Sequence, residues 1–135
     1  MAKVTFVLGL CGSGKSYLAQ QMGRRTGERV FENLLSDASA LPVLLACLKE
    51  GKDCIVDDVR FCLPEYRNEI LHQLSQISGV EIHWVCYEND LESANWNVMH
   101  RTDKGDPQGH LDINLRLHAH YDYPPGAAVI PIQRI

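Results

Sequence analysis

Apolar and polar positions along this chain change period at regular intervals. Residues 3–8 (KVTFVL) form a β-branched and aromatic run that predicts a buried first strand. A glycine-rich stretch follows, then a helix from Ser16 to Arg25 stopped by Gly27. Val30 and Phe31 open a short second strand ending near Asp37. Leu41, Leu44, Leu45 and Leu48 lie at i, i+3, i+4 and i+7, one face of a helix with Pro42 in its first turn and Gly51 at its end. The run from Asp53 to Asp58 (DCIVDD) predicts a third strand closing on two acids. Leu63, Tyr66, Ile70, Leu74 and Ile77 mark a third helix, stopped by Gly79. Residues 80–87 (VEIHWVCY) are rich in strand formers, and Asp90 is placed to cap a helix running to about His100. Residues 101–109 (RTDKGDPQG) predict a polar loop.

The segment from Leu111 to Tyr123 sends two signals. Leu111, Ile113, Leu115, Leu117, Ala119, Tyr121 and Tyr123 alternate strictly, which alone describes a strand. A strand of that length would be long for so small a domain. The β-α alternation before it and the strand-like residues 127–132 (AAVIPI) after it favour a helical crossover. The expected fold is therefore α/β: a three-layer sandwich with a five-stranded parallel sheet and a short lid. Ligands of such sheets sit at the carboxyl ends of the strands.

The motif at residues 9–16 (GLCGSGKS) satisfies G-x-x-x-x-G-K-[ST], with an apolar strand before it and a helix after it. Its glycines let backbone N–H groups wrap a β-phosphate. Lys15 neutralises β- and γ-oxygens, Ser16 offers a hydroxyl to Mg²⁺, and the helix N-terminus adds partial positive charge. ATP with magnesium is the expected ligand, held by Gly9, Cys11, Gly12, Ser13, Gly14, Lys15, Ser16 and Tyr17.

Asp57 and Asp58 end the third strand, where a carboxylate can hold the magnesium shell or accept a proton from an attacking hydroxyl. Adjacent strand residues point to opposite faces, so one of the two faces the phosphates. Arg60 shares the face of Asp58 if the strand continues, and its fork suits a substrate phosphate. Arg101 and Lys104 belong to the expected lid, where Arg101 would stabilise charge on the transferring group. Arg116 is a further candidate for that work.

Composition narrows the partners. The chain has 135 residues, the size of one domain, and a formal net charge of −4, which argues against tight non-specific binding to nucleic acid. The five cysteines form no C-x-x-C pair and read as reduced thiols of a cytoplasmic protein. No apolar run is long enough to suggest a leader or a membrane span. His110, His118 and His120 do not make a zinc site, because residues two apart on a helix face different ways. No N-K-x-D segment for reading guanine is present.

The phosphate loop, the segment Asp58-Val59-Arg60-Phe61, and the acids Glu65 and Glu69 resemble the small P-loop kinases. The resemblance is nearest to phage-type deoxynucleoside monophosphate kinases, and the D-x-R step is also similar to that of polynucleotide and nucleoside kinases. It implies that Asp58 serves as base or magnesium partner and that Arg60 binds the acceptor. It also implies a lid at 101–109 and an adenine-contacting loop near Tyr123-Pro124-Pro125-Gly126. The chain departs from the monophosphate-kinase pattern at Cys62-Leu63-Pro64, where an asparagine-proline step is usual, and its segment 31–41 is short for an acceptor-binding arm. Three functions follow: a kinase of a nucleotide or another small hydroxyl or phosphate acceptor; a kinase of nucleic acid ends or modified DNA bases; and a non-catalytic ATP-binding module. The cations and the Asp58–Arg60 pair favour the first two, and the acidic charge favours the first.

Overall fold

A computed structural model describes residues 1–101 and 105–135. The elements alternate along the chain. Strands are β1 (Lys3–Leu8), β2 (Arg29–Glu32), β3 (Cys54–Asp57), β4 (Glu81–Tyr87) and β5 (Ala128–Ile130). Helices are α1 (Lys15–Thr26), α2 (Ala40–Lys49), α3 (Pro64–Leu74), α4 (Leu91–His100) and α5 (Pro107–His120). Short 3-10 turns follow β2 (Leu34–Ser36) and β3 (Val59–Cys62).

The strands form one parallel sheet in the order β2-β3-β1-β4-β5. Central β1 is buried on both faces, as an apolar run without alternation requires. Its Val4, Phe6 and Leu8 join Leu44, Val56, Phe61 and Ile70 in the larger core. Phe6 stacks on Trp84 at 4.6 Å between ring centroids and meets Phe61 edge-on at 5.2 Å. Val7 points the other way, onto Ala19 of α1 and Ile55. A third cluster joins Leu10 of the loop to Ala94 of α4, Leu117 of α5 and Ile132. The phosphate loop is thus a constituent of the core.

Segment 107–120 is a helix despite its alternating sequence. Asp106 caps it by accepting from Gln108 N–H at 3.0 Å, and Pro107 opens it. Its buried residues are Asn114 and Leu117, three apart, while Leu115 is exposed. Leu115, Ala119 and Tyr123 of the apparent strand pattern therefore face outward, and the inward stripe includes a polar residue, Asn114. The helix claims residues 107–109, which the composition assigns to the loop; Thr102, Asp103 and Lys104 lie outside the described residues. Strand β2 is also shorter than its expected end near Asp37: after Glu32 the chain turns at Asn33, whose φ of 49° is left-handed, into a 3-10 turn.

Candidate functional site: the phosphate loop and its flanking acids

Gly9 to Ser16 connects β1 to α1 at the carboxyl end of the sheet. Gly12 and Gly14 take φ of 86° and 103°, where side chains are strained. Gly9 is fixed by space: a Cβ there would meet Ser13 Oγ at 2.3 Å. Helix α1 starts at Lys15 with no side-chain cap and no acid in its first turn. Its first N–H donors and its partial positive charge therefore face the loop without an internal partner, an arrangement suited to a phosphate. Lys15 is buried and Ser16 half-buried, while Tyr17 is exposed and its hydroxyl accepts from Gln21 Nε2 at 2.7 Å.

Two buried asparagines brace the loop. Asn114 of α5 accepts from Cys11 N–H at 2.7 Å, donates to Cys11 C=O at 2.8 Å and donates to Asn95 Oδ1 at 3.0 Å. Asn97 of α4 donates to Gly12 C=O at 2.9 Å and to Gln133 C=O at 2.8 Å. Gly12 lies so close to α4 that a Cβ would sit 2.4 Å from Ala94 O. The helices on either side of segment 101–106 thus each hold one peptide of the phosphate loop. Sequence reasoning missed both residues; the available signal was an asparagine amid the apolar positions of a helix.

The two acids at the end of β3 diverge, as extended neighbours must. Asp57 is fully buried, pairs in register with Val7 and Glu32, and feels the charge of Lys15. Its Oδ1 accepts from Asn33 N–H at 3.3 Å, while its buried Oδ2 has no hydrogen-bond partner among the described residues. Burial raises its pKa above the ordinary carboxylate value, opposed by Lys15 and by the Asn33 bond. Asp58 is equally buried but has both oxygens engaged. Its Oδ1 accepts from Arg60 N–H at 2.9 Å; its Oδ2 accepts from Leu35 N–H at 2.9 Å and from Arg60 Nη1 at 3.0 Å. Arg60 shares the side of Asp58 because a 3-10 turn folds it back, rather than by strand continuation. Its Nη1 and Nη2 also reach Ser36 Oγ at 3.4 and 3.5 Å.

Beyond Arg60 lies a cavity of about 330 Å³ between the 3-10 turn after β2, α2 and α3. Arg101 is half-buried at the end of α4, with Nη2 2.7 Å from His110 Nδ1. Arg116 is exposed on α5. The loop Tyr123–Gly126 sits between α5 and β5, where Tyr123 Oη accepts from Asn89 N–H at 2.7 Å. Buried Arg67 is structural: it donates to Phe61 C=O at 2.7 Å and Asp122 C=O at 3.0 Å and pairs with the Asp122 carboxylate.

The residues present fit a magnesium-bound nucleotide. Asp57 Oδ2 is a buried oxygen, unpartnered among the described residues and within reach of Lys15's charge, and Ser16 supplies a hydroxyl in the first turn of α1. Carboxylate and hydroxyl oxygens are the donors that magnesium prefers.

A phosphate loop at the end of the central strand of a five-stranded parallel sheet is the P-loop fold, and solved kinases share it. The chain is similar in structure to a fungal RNA kinase at a TM-score of 0.70, with 14% identity over 100% of this chain and 78% of that one. It is similar to a gluconokinase from Sinorhizobium meliloti 1021 at 0.66, with 17% identity over 98% and 84%. A shikimate kinase from Bacteroides thetaiotaomicron superposes at 0.52, with 9% identity over 96% and 85%. No family model and no curated protein matches the sequence. Among the described residues no helix is long and apolar enough to cross a membrane.

Proposed function

We propose that this chain is an ATP-dependent phosphotransferase that moves a γ-phosphate to a nucleotide or another small hydroxyl or phosphate acceptor. The observation that supports it most is the pairing of an uncapped helix N-terminus with buried Lys15 and with Asp57, whose Oδ2 is buried and unpartnered among the described residues. A loop used only for folding would gain nothing by burying a cation and an orphan carboxylate oxygen, since each costs several kcal/mol of desolvation, of order 20 kcal/mol in the idealised limit.

The loop N–H groups and Lys15 hold the β- and γ-phosphates. Ser16 and Asp57 would hold magnesium, which would neutralise phosphate charge. An acceptor oxygen forms a bond to the γ-phosphorus as the bond to the β-bridging oxygen breaks, and ADP leaves. Arg60, held by Asp58, grips the acceptor. Where the acceptor is a hydroxyl its proton passes to Asp58; a phosphate acceptor needs no such transfer. Arg101, bonded to His110 at the end of α4, would neutralise charge on the group in flight.

The experiment is an ATP-consumption screen with magnesium across nucleoside monophosphates, nucleosides, sugar acids and oligonucleotides. Acceptor-dependent ADP formation, lost in Lys15→Ala, is expected. ATP binding without acceptor-stimulated turnover in any class would leave a binding module instead. Preference for 5′-hydroxyl oligonucleotides over small acceptors would move the reading to nucleic acid ends.

A further inference from the structure

At the rim opposite the phosphate loop, the amino ends of β2 and β3 border a second cavity, of about 390 Å³. The end of α1 and the turn between α2 and β3 complete its walls, and it holds two cysteines, Cys47 of α2 and Cys54 of β3. The turn brings them together. Gly51 takes a φ of 80°, and Lys52 N–H donates back to Cys47 C=O at 3.0 Å. Cys54 then opens the strand with its thiol in contact with that of Cys47 and donating to Lys52 C=O at 3.5 Å. The two thiols differ in access. Cys47 is 8% exposed at the cavity wall, whereas Cys54 is fully buried. Burial, then contact with Cys47, pushes the Cys54 thiol up to about 12, so it keeps its proton near neutral pH. Cys62 and Cys86 are both fully buried, and Cys11 lies in the phosphate loop.

We propose that Cys47 and Cys54 form a redox modification site, which a hydroperoxide converts to a disulfide that fixes α2 to the start of β3. Cys47 is the sulfur that the oxidant reaches. It attacks one peroxide oxygen, the O–O bond breaks, and the departing oxygen takes up the thiol proton; with hydrogen peroxide it leaves as water. Cys47 is then a sulfenic acid, which condenses with a neighbouring thiol. The Cys54 sulfur attacks the Cys47 sulfur, the S–S bond forms and the S–O bond breaks. The hydroxide leaves with the Cys54 proton as a second water. Two thiols have lost two electrons and one peroxide has gained them. The sulfurs already touch, so closing the bond to about 2.05 Å asks mainly for side-chain rotation. The site is remote from residues 9–16, and the proposal is independent of the phosphotransferase reading.

The test treats the full chain with hydrogen peroxide, unfolds it, alkylates the remaining thiols and maps them by mass spectrometry without reduction. Loss of two alkylatable thiols per chain is expected, with the peptides carrying Cys47 and Cys54 linked and the link reversed by dithiothreitol. The linked protein should melt several degrees above the reduced one, because the bond restricts the unfolded chain. Cys54→Ser should stop at a Cys47 sulfenic acid that dimedone traps. Cys47→Ser, a change at the more accessible position, should leave Cys54 alkylatable after the same treatment. Four results would overturn the proposal: both thiols still alkylatable in treated wild type, links only between chains, Cys54 oxidised in Cys47→Ser, or a linked form that melts no higher than the reduced one.

Discussion

Asn114 closes two hydrogen bonds on the main chain of Cys11, one at 2.7 Å from the Cys11 N–H and one at 2.8 Å to its C=O. The two residues are 103 positions apart, and the contact is fully buried. The Cys11 N–H is thereby withdrawn from ligand binding, and the shape of the phosphate loop is tied to the helix that follows segment 101–106. Asn97 repeats the arrangement from the preceding helix onto Gly12.

Asn114→Ala should therefore act on the loop through its support. It leaves a buried N–H and C=O without partners, at a cost of about 1–3 kcal/mol. Thermal melting should fall by several degrees, and ATP should recover part of the loss by fixing the loop from the other side. Melting with and without magnesium-ATP checks this. An unchanged melting temperature would show that the brace does not hold the loop.

The two acids separate by what each substitution damages. Asp57→Asn removes the carboxylate that would hold magnesium, so it should lower kcat and raise the magnesium requirement, with the loss partly recovered at high magnesium. Asp58→Asn loosens Arg60, so it should raise the acceptor KM as well as lower kcat, with ATP affinity within a few-fold. Steady-state kinetics with each substrate varied in turn distinguishes them. The reverse pattern would exchange the roles given to the two residues.

Asp57 also predicts a pH effect in the absence of ligand. Its folded pKa lies above the unfolded value, chiefly through burial. The ionised carboxylate is then less favourable folded than unfolded, and that cost is present at pH above the folded pKa. It fades as pH falls through the folded pKa and is gone below the unfolded one. Ligand-free Asp57→Asn should consequently melt higher than wild type at pH 7, with the gap closing toward pH 4. A variant that melts lower at pH 7 would show that the charge of Lys15 outweighs the burial.

Arg101→Ala should lower kcat while ATP affinity stays within a few-fold, because a cation that engages on closure stabilises the transition state more than the ground state. Single-substrate binding and steady-state turnover together check it. Wild-type kcat would reduce Arg101 to a helix-end residue packed on His110.

Much of the fold was legible because its rules are local. The unbroken apolar run before Gly9, the capping Asp90 and the leucine stripe of α2 each announced an element whose ends fall within a few residues of the expected ones. Helix α5 was harder, because its alternating residues described a strand and only the need for a crossover favoured a helix. The glycines, Lys15 and Ser16 of the site could be read from spacing alone. The different surroundings of Asp57 and Asp58 could not, because they depend on Asn33 and Leu35, more than twenty residues earlier, and on a 3-10 turn that returns Arg60 to Asp58. The two asparagines were illegible for the same reason: their partners lie 85 and 103 residues away.

The most direct measurement is magnesium-ATP binding by Lys15→Ala, set beside wild type in calorimetry. Lys15 is the side-chain cation within the loop, and it is buried against the end of the sheet. Its removal should weaken binding at least a hundredfold and abolish turnover, with the fold retained by circular dichroism. The loss corresponds to about 2.7 kcal/mol, the range expected for a charge-assisted contact to phosphate. A folded Lys15→Ala protein that binds ATP as tightly as wild type would contradict the assignment of residues 9–16 as a nucleotide site.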